Sequence, residues 1–421
     1  MKKIKKFFSI LGPGFITGAS DDDPSGIATY SQTGAQFGYS QLWTSPFSFP
    51  FMVVIQEMCG RIGIITGKGL AGVIRSNYSK PLLYFMVVIL FLTNTINIGA
   101  NLGAMASTGL LLAGIPFIFW LIGMTVLTLV LEIFISYKVY SKYLKYLTFS
   151  LFAYIIVVFI VKQNWLVVLS STLIPSISLN KAYLLNIVAI LGTTFSPYLF
   201  FWQPNEEVEE EVEAGKIAAM GRGTPMFSRF DLKKMRKDTI FGMFFSNIIM
   251  FFIIATTAST LHATGVRNIE TASDAALALK PIAGNYTFLL FTAGIIGTGL
   301  LSIPVLAGSA SYAIAETFRW HEGLYRKLSQ AHGFYGAITI ATLIGLLVNF
   351  IHIAPFKMLY YTAVLSGITA PPLMIMILLI TNNKKIMGQH INSRVSNIMG
   401  IIITAVMSAV ALALIVSPFF K

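Results

Sequence analysis

Three consecutive carboxylates, Asp21, Asp22 and Asp23, followed by Pro24, Ser25 and Gly26, interrupt the first long apolar stretch of this sequence. An aspartate at the centre of a bilayer helix costs roughly 2.5–3.5 kcal/mol on insertion scales, so acids at that depth face a partner, a cation or a water-filled cavity. Pro24 removes a backbone donor and crowds the preceding turn, while Gly26 accepts non-helical backbone, so the helix is expected to open here. An opened helix exposes carbonyl oxygens beside the carboxylates, the combination from which membrane carriers build a cation site. The aspartates of this triplet are the candidate ligands of such a site. Asp21 and Asp22 either line an aqueous path and reach an ion through water, or face a polar cavity or stay protonated at depth.

A second interruption is expected in Leu191-Gly192-Thr193-Thr194-Phe195-Ser196-Pro197-Tyr198, again a glycine followed by a proline inside an apolar stretch. A proline alone in a membrane helix commonly means no more than a kink. Breaks in corresponding spans of two halves carry more weight, because carriers built from inverted repeats place their sites where two discontinuous helices meet at mid-membrane.

The elements that position these residues must be membrane helices. Hydrophobic residues make up 55% of the 421 residues and charged residues 11%, and mean hydropathy is +0.74, far from soluble domains. Apolar stretches near 9–37, 41–60, 82–110, 114–136, 147–165, 184–204, 238–262, 285–315, 334–351, 358–381 and 398–419 predict eleven spans. With a cytoplasmic N-terminus, 24 of the 30 Lys and Arg residues fall on the cytoplasmic side. Only Lys162, Lys181, Arg267, Lys280, Lys357 and Lys421 fall outside. This asymmetry predicts a multi-pass plasma-membrane protein with an external C-terminus. An odd span count with a charged break in span one suggests two five-span repeats of opposite orientation, about 9–165 and 184–381, plus an extra helix at about 398–419. The second broken helix is then span six. The chain reads as one transmembrane domain, 1–421.

Other features have plainer readings. The net charge of +13 reflects basic loops between spans rather than a nucleic-acid surface. Gly67-Lys68-Gly69-Leu70-Ala71-Gly72 matches a dinucleotide-binding string, but no strand is expected before it. The run from Glu206 to Glu213 reads as a solvated helical end facing the basic loop 216–237; the functional alternative is a vestibule that attracts cations. The single Cys59 allows no disulfide framework, and the five histidines fall in loops or near span ends. The N-terminal Lys2-Lys3-Ile4-Lys5-Lys6 imitates a secretory signal but lacks a cleavage pattern, so it reads as the start of a retained span. No string of a zinc hydrolase or serine hydrolase occurs, and no enzyme activity is expected.

The stretch GPGFITGASDDDPSGIATYSQTGAQFGYSQLW, followed by RIGIITGKGLAGVIR, resembles the NRAMP divalent-metal transporters, and the likeness continues in order through span six and beyond. The resemblance implies an all-α polytopic membrane protein, a LeuT-like inverted repeat of five plus five spans with one extra helix. Spans one and six would be broken. It also implies that the metal lies between an Asp-Pro-Gly-Asn break in span one and a Met-Pro-His break in span six. Asp23 and Pro24 keep that pattern here. Gly26 stands at the asparagine position, Ser196 at the methionine and Tyr198 at the histidine, while Thr193 takes a carbonyl-donating alanine position. In span three, Asn101 stands where the resemblance, more loosely aligned, puts an acid linked to proton movement.

The departures have a chemical direction. A thioether favours softer transition ions, whereas hydroxyls and carbonyls are hard ligands. Losing methionine and asparagine is expected to leave room beside Asp23, and magnesium keeps several waters and needs only one or two carboxylates. Losing histidine removes the side chain that titrates near neutral pH. Together they resemble the NRAMP-related magnesium transporter branch. They imply a carrier that imports hydrated Mg2+, and also Mn2+, by alternating access without proton coupling. Asp23, Asp22, Gly26, Thr193, Ser196 and Tyr198 would form its metal site. The alternative is a proton-coupled Mn2+ or Fe2+ importer. An organic-solute carrier would present a half-helix N-terminus to a carboxylate that the aspartate triplet would repel. Gln32, Tyr361 and Thr362 could line the path, or make ordinary interhelical hydrogen bonds. The expected partners are divalent ions and the bilayer, with no resident cofactor. Oligomeric state, including monomer, is left open.

Overall fold

A computed structural model describes residues 12–135, 150–178 and 180–416, and every regular element in it is helical. The expected starts of spans one and five, the basic residues Lys138, Lys142 and Lys145, the N-terminal lysines and the last residues of the extra helix lie outside the described residues. The longer helices are α1 (Pro13–Asp21), α2 (Pro24–Phe37), α3 (Thr44–Thr66), α4 (Leu70–Asn77), α5 (Lys80–Leu112), α6 (Phe117–Phe134), α7 (Phe152–Ile160), α8 (Trp165–Leu173), α9 (Lys181–Thr194), α10 (Pro197–Glu213), α11 (Arg229–Thr257), α12 (Thr287–Phe318), α13 (His332–Val348), α14 (Pro355–Thr381) and α15 (Arg394–Val416).

Among the described residues, nine helical segments are long and apolar enough to cross a membrane. Two of the eleven expected spans are not among them. The first is divided into pieces of 9 and 14 residues. The described helix of the fifth, α7, is only 9 residues. The helix α10, which follows α9 after two residues, runs to Glu213, well beyond the expected end near 204.

The helices α1, α2, α9 and α10 occupy the middle of the bundle, where most of their residues are buried. The helices α6 and α15 sit at the periphery and present rows such as Phe119, Ile122, Val126 and Ile398, Ile402, Leu412 outward, an apolar surface suited to lipid. The loops with most of the basic residues meet at one end of the bundle. There Gly221 donates its N–H to the Gly67 carbonyl, Arg61 donates to the His390 carbonyl, and Leu324 donates to Glu209. At the opposite end Gln32 donates to the Arg267 carbonyl and Tyr39 donates to Gln163.

The inner position of α1 depends on glycine. A Cβ on Gly18 would stand 2.2 Å from the Gly242 carbonyl oxygen on α11, and one on Gly14 would stand 2.6 Å from the Thr239 nitrogen. Small residues let membrane helices approach to backbone contact, where dispersion replaces the missing hydrophobic force. Overpacking such a contact costs about 1–3 kcal/mol. Gly18→Val should therefore lower the thermal unfolding midpoint of the detergent-purified protein. Gly123→Val, at a position with nothing within 4 Å of the added Cβ, should leave it unchanged. Equal effects at the two positions would contradict the contact.

Candidate functional site

The two interruptions are built alike. After α1, Asp22 leaves helical geometry at φ −81°, ψ 48°, and Asp23 is extended at φ −70°, ψ 170°, before Pro24 opens α2. After α9, Phe195 leaves at φ −113°, ψ 55°, and Ser196 is extended at φ −68°, ψ 128°, before Pro197 opens α10. Proline suits the first helical position because its missing N–H would be unpaired there anyway. In each case two residues separate two helices. The C-terminal carbonyls of one helix and the N-terminal amides of the next are thereby released near mid-bundle.

Asp23 is the N-cap of α2. Its Oδ1 accepts from the Gly26 amide at 2.9 Å and from the Ser25 hydroxyl at 2.5 Å, and its Oδ2 accepts from Asn101 Nδ2 at 3.1 Å. Every one of these donors is neutral. The carboxylate also sits at the amino-terminal end of α2. Asp21 and Asp22 share one donor, the Ser246 hydroxyl on α11, at 2.7 and 3.4 Å. One oxygen of each has no hydrogen-bond partner. All three aspartates are fully buried, so in this conformation the site is shut off from both ends of the bundle.

Thr193 brings a second oxygen to the same place. Its buried hydroxyl has no hydrogen-bond partner. A Cβ on Gly26 would meet it at 3.3 Å, the Asp21 carbonyl oxygen at 3.2 Å and the Tyr30 ring at 3.4 Å. The room expected at Gly26 is therefore not open here. The C-terminal carbonyl of α1 and the Thr193 side chain have closed over it. Two oxygens nevertheless border the point where an asparagine side chain would begin. The oxygen expected from Thr193 was its carbonyl, but that carbonyl accepts from the Ser196 hydroxyl at 2.7 Å. Ser196 also donates to the Gly192 carbonyl at 3.1 Å, so it secures the end of α9. Tyr198 donates to the Ser20 carbonyl at 2.9 Å and ties one interruption to the other. Among the described residues, no three His, Cys, Asp or Glu side chains converge as a metal cage. The gathered oxygens are the Asp23 carboxylate, hydroxyls and carbonyls, with the Asp21 and Asp22 carboxylates beside them on Ser246.

Gln32 and Tyr361 line a cavity of about 250 Å3 at the end of the bundle away from the basic loops, together with Glu270 and Lys357. Thr362 does not reach it: its hydroxyl hydrogen-bonds to the Leu359 carbonyl and Asn97, the ordinary interhelical role. The glycine string has another use too. The Gly69 and Gly72 amides at the start of α4 donate to the two carboxylate oxygens of Glu316 at 2.6 and 2.9 Å, so the chain's own acid fills that helix N-terminus.

The expectation of a solvated glutamate run is overturned. Glu207, Glu209 and Glu211 are buried, because α10 passes between α3 and α12 rather than projecting into solvent. Glu209 accepts hydrogen bonds from the Tyr312 hydroxyl and the Leu324 amide. Sequence reasoning also missed Ser246 and the contact between Asn101 and Asp23. The signals were a serine and an asparagine, Ser246-Asn247, in a long apolar helix, and the asparagines of span three.

A family model described as Natural resistance-associated macrophage protein-like matches residues 14–417. The divalent metal cation transporter MntH of Erwinia tasmaniensis is 26% identical over 423 residues, covering 97% of this chain and 94% of that protein. The crystal structure of the Eremococcus coleocola manganese transporter, in complex with an aromatic bis-isothiourea compound, superposes with a TM-score of 0.78 at 15% identity. That match covers 97% of this chain and 87% of the other. Mhp1 in an inward-facing conformation gives a TM-score of 0.57 at 14% identity, over 96% and 89% of the two chains. These two likenesses describe the fold.

The unpartnered Thr193 hydroxyl separates a ligand from a packing residue. Thr193→Val keeps its shape and is expected to weaken divalent-ion binding about tenfold, which corresponds to about 1.4 kcal/mol, in isothermal titration of the purified protein. Unchanged affinity would assign Thr193 to packing alone.

Proposed function

The chain belongs to the Nramp family, and from that premise, which makes it a multi-pass divalent metal cation transporter, we propose that it imports hydrated Mg2+, and also Mn2+, through the site between the two interruptions. Asp23 supplies the principal charge. The Thr193 hydroxyl and the Asp21 carbonyl offer neutral oxygens, with Asp22 close by; Gly26 leaves a place for water, and Ser196 and Tyr198 hold the helix ends. The observation that carries the reading is that Asp23, fully buried, is held only by neutral donors. A carboxylate at that depth calls for a counter-charge, and a transported cation can supply it.

Hard oxygens around one carboxylate match an ion that dehydrates reluctantly. Asn101, hydrogen-bonded to Asp23, cannot release a proton as an acid there would, and this supports transport without proton coupling. The membrane potential is then the driving force: at about 2.3 kcal/mol per charge per 100 mV, a divalent ion gains roughly 4.6 kcal/mol on entry. The proposed frame has eleven spans, with α1 and α2 as the broken first and α9 and α10 as the broken sixth. The basic loops lie in the cytoplasm and α15 is the added helix. The 250 Å3 cavity at Gln32 and Tyr361 then faces outside.

Flux into proteoliposomes under a potassium-diffusion potential, with internal magnesium and pH dyes read together, tests this. Magnesium entry without acidification, abolished in Asp23→Ala, is expected. Manganese entry with acidification and no magnesium signal would return the protein to the proton-coupled alternative. The double substitution Gly26→Asn with Ser196→Met should strengthen manganese or cadmium binding and slow magnesium transport, with the Asp21 carbonyl and the Thr193 hydroxyl yielding a few tenths of an ångström to the new side chain. Unchanged ion preference would place selectivity elsewhere.

A further inference from the structure

The glutamate run after the second interruption takes no part in that site, yet it builds a second acidic one. Glu207, Glu210, Glu211, Asp231 and Asp238 line a cavity of about 100 Å3 beneath the start of α1. Two lysines on the same wall neutralise part of this charge: Lys216 pairs with Asp231 at 2.6 Å and Lys234 with Glu210 at 3.3 Å. Glu207 accepts from Gln203 at 3.0 Å, a neutral donor. Asp238 accepts from the amides of Gly12 and Gly14 at 3.0 and 2.8 Å. Glu211 makes no ion pair of its own among the described residues: the nearby Lys216 charge acts on it but is paired with Asp231. Glu211 is 5% exposed, it lines the cavity, and neither of its carboxylate oxygens has a hydrogen-bond partner. A buried carboxylate left in this state is costly unless a charge answers it.

We propose that this cavity is a second binding site for a divalent cation, distinct from the transport site and open to cytosolic ions, in which Glu211 is the principal charge. The ion is held with water in its shell. No three carboxylates converge to cage it among the described residues, and magnesium commonly keeps several waters while bound through one or two carboxylates. The position gives the site a consequence. Pro13, at the first turn of α1, lines the cavity, and Asp238 on α11 caps the same end of α1 through the Gly12 and Gly14 amides. An ion there bridges α10 and α11 around the inner half of the broken helix and holds it closed. Cytosolic divalent ions therefore slow further import. The direction of this effect rests on the proposed orientation, with the basic loops in the cytoplasm.

Equilibrium Mn2+ binding to the purified protein, counted from the free-ion electron paramagnetic resonance signal, separates the two sites. Wild type is expected to show two classes of site, Asp23→Ala to lose one, Glu211→Gln to lose the other, and the double variant to lose both. Two classes retained in Glu211→Gln would overturn the cavity site. Two retained in Asp23→Ala, with one lost in Glu211→Gln, would overturn the transport-site assignment and leave the cavity standing. In proteoliposomes, Glu211→Gln should import magnesium at the wild-type rate when the lumen is free of divalent ions, which also shows that it folds. It should lose the slowing that preloaded internal Mg2+ causes in wild type. Slowing that persists in full would refute the regulatory role.

Discussion

A carboxylate in the middle of a helical bundle, reached by no Lys or Arg among the described residues, is the constraint around which this protein is arranged. Asp23 is tolerated because three neutral donors and the start of a helix converge on it. Those donors come from a chain that has stopped being helical for two residues. The break itself requires Pro24 at the first position of α2, and it requires α1 to lie against α11 closely enough that only glycine fits at Gly14 and Gly18. Charge, break and close packing are therefore one problem with one solution. The second interruption repeats that solution with Ser196 and Pro197 and without the charge. Under the proposed reading the asymmetry between the breaks is functional, one supplying the anion and the other neutral oxygens.

Closure is the other property the geometry brings out. With Asp21, Asp22 and Asp23 fully buried and Gly26 covered by the Asp21 carbonyl and Thr193, the site has access from neither end. Alternating access asks for such a state between two open ones. Under the proposed reading the contacts that give way are Tyr198 with the Ser20 carbonyl, Gln32 with the 267–269 loop, and Asp238 with the first turn of α1. Each joins one half of a broken helix to something outside it.

Much of the bundle was legible in the sequence because its signals are local. Apolar runs mark helices, and a proline one residue after an acid or a serine marks each interruption. Helix ends were less legible: α10 continues through the acidic run because burial between α3 and α12, a long-range matter, overrides the polarity of Glu207, Glu209 and Glu211. The same applies to the site. That Asp23, Thr193, Ser196 and Tyr198 lie at or beside the interruptions was legible, but not which oxygen each turns toward them. The Thr193 carbonyl accepts from Ser196, while its hydroxyl is left without a partner. Asn101 and Ser246 lie 78 and 225 residues from the aspartates they touch, beyond any local pattern.

The central claim is that a divalent ion sits between the interruptions on Asp23. Anomalous diffraction at the manganese edge, from crystals grown with Mn2+, tests it directly. The claim predicts a peak within coordination distance of the Asp23 carboxylate and near the Thr193 hydroxyl, lost in Asp23→Ala crystals. A manganese peak confined to other carboxylates, with the region around Asp23 free of anomalous signal, would contradict it.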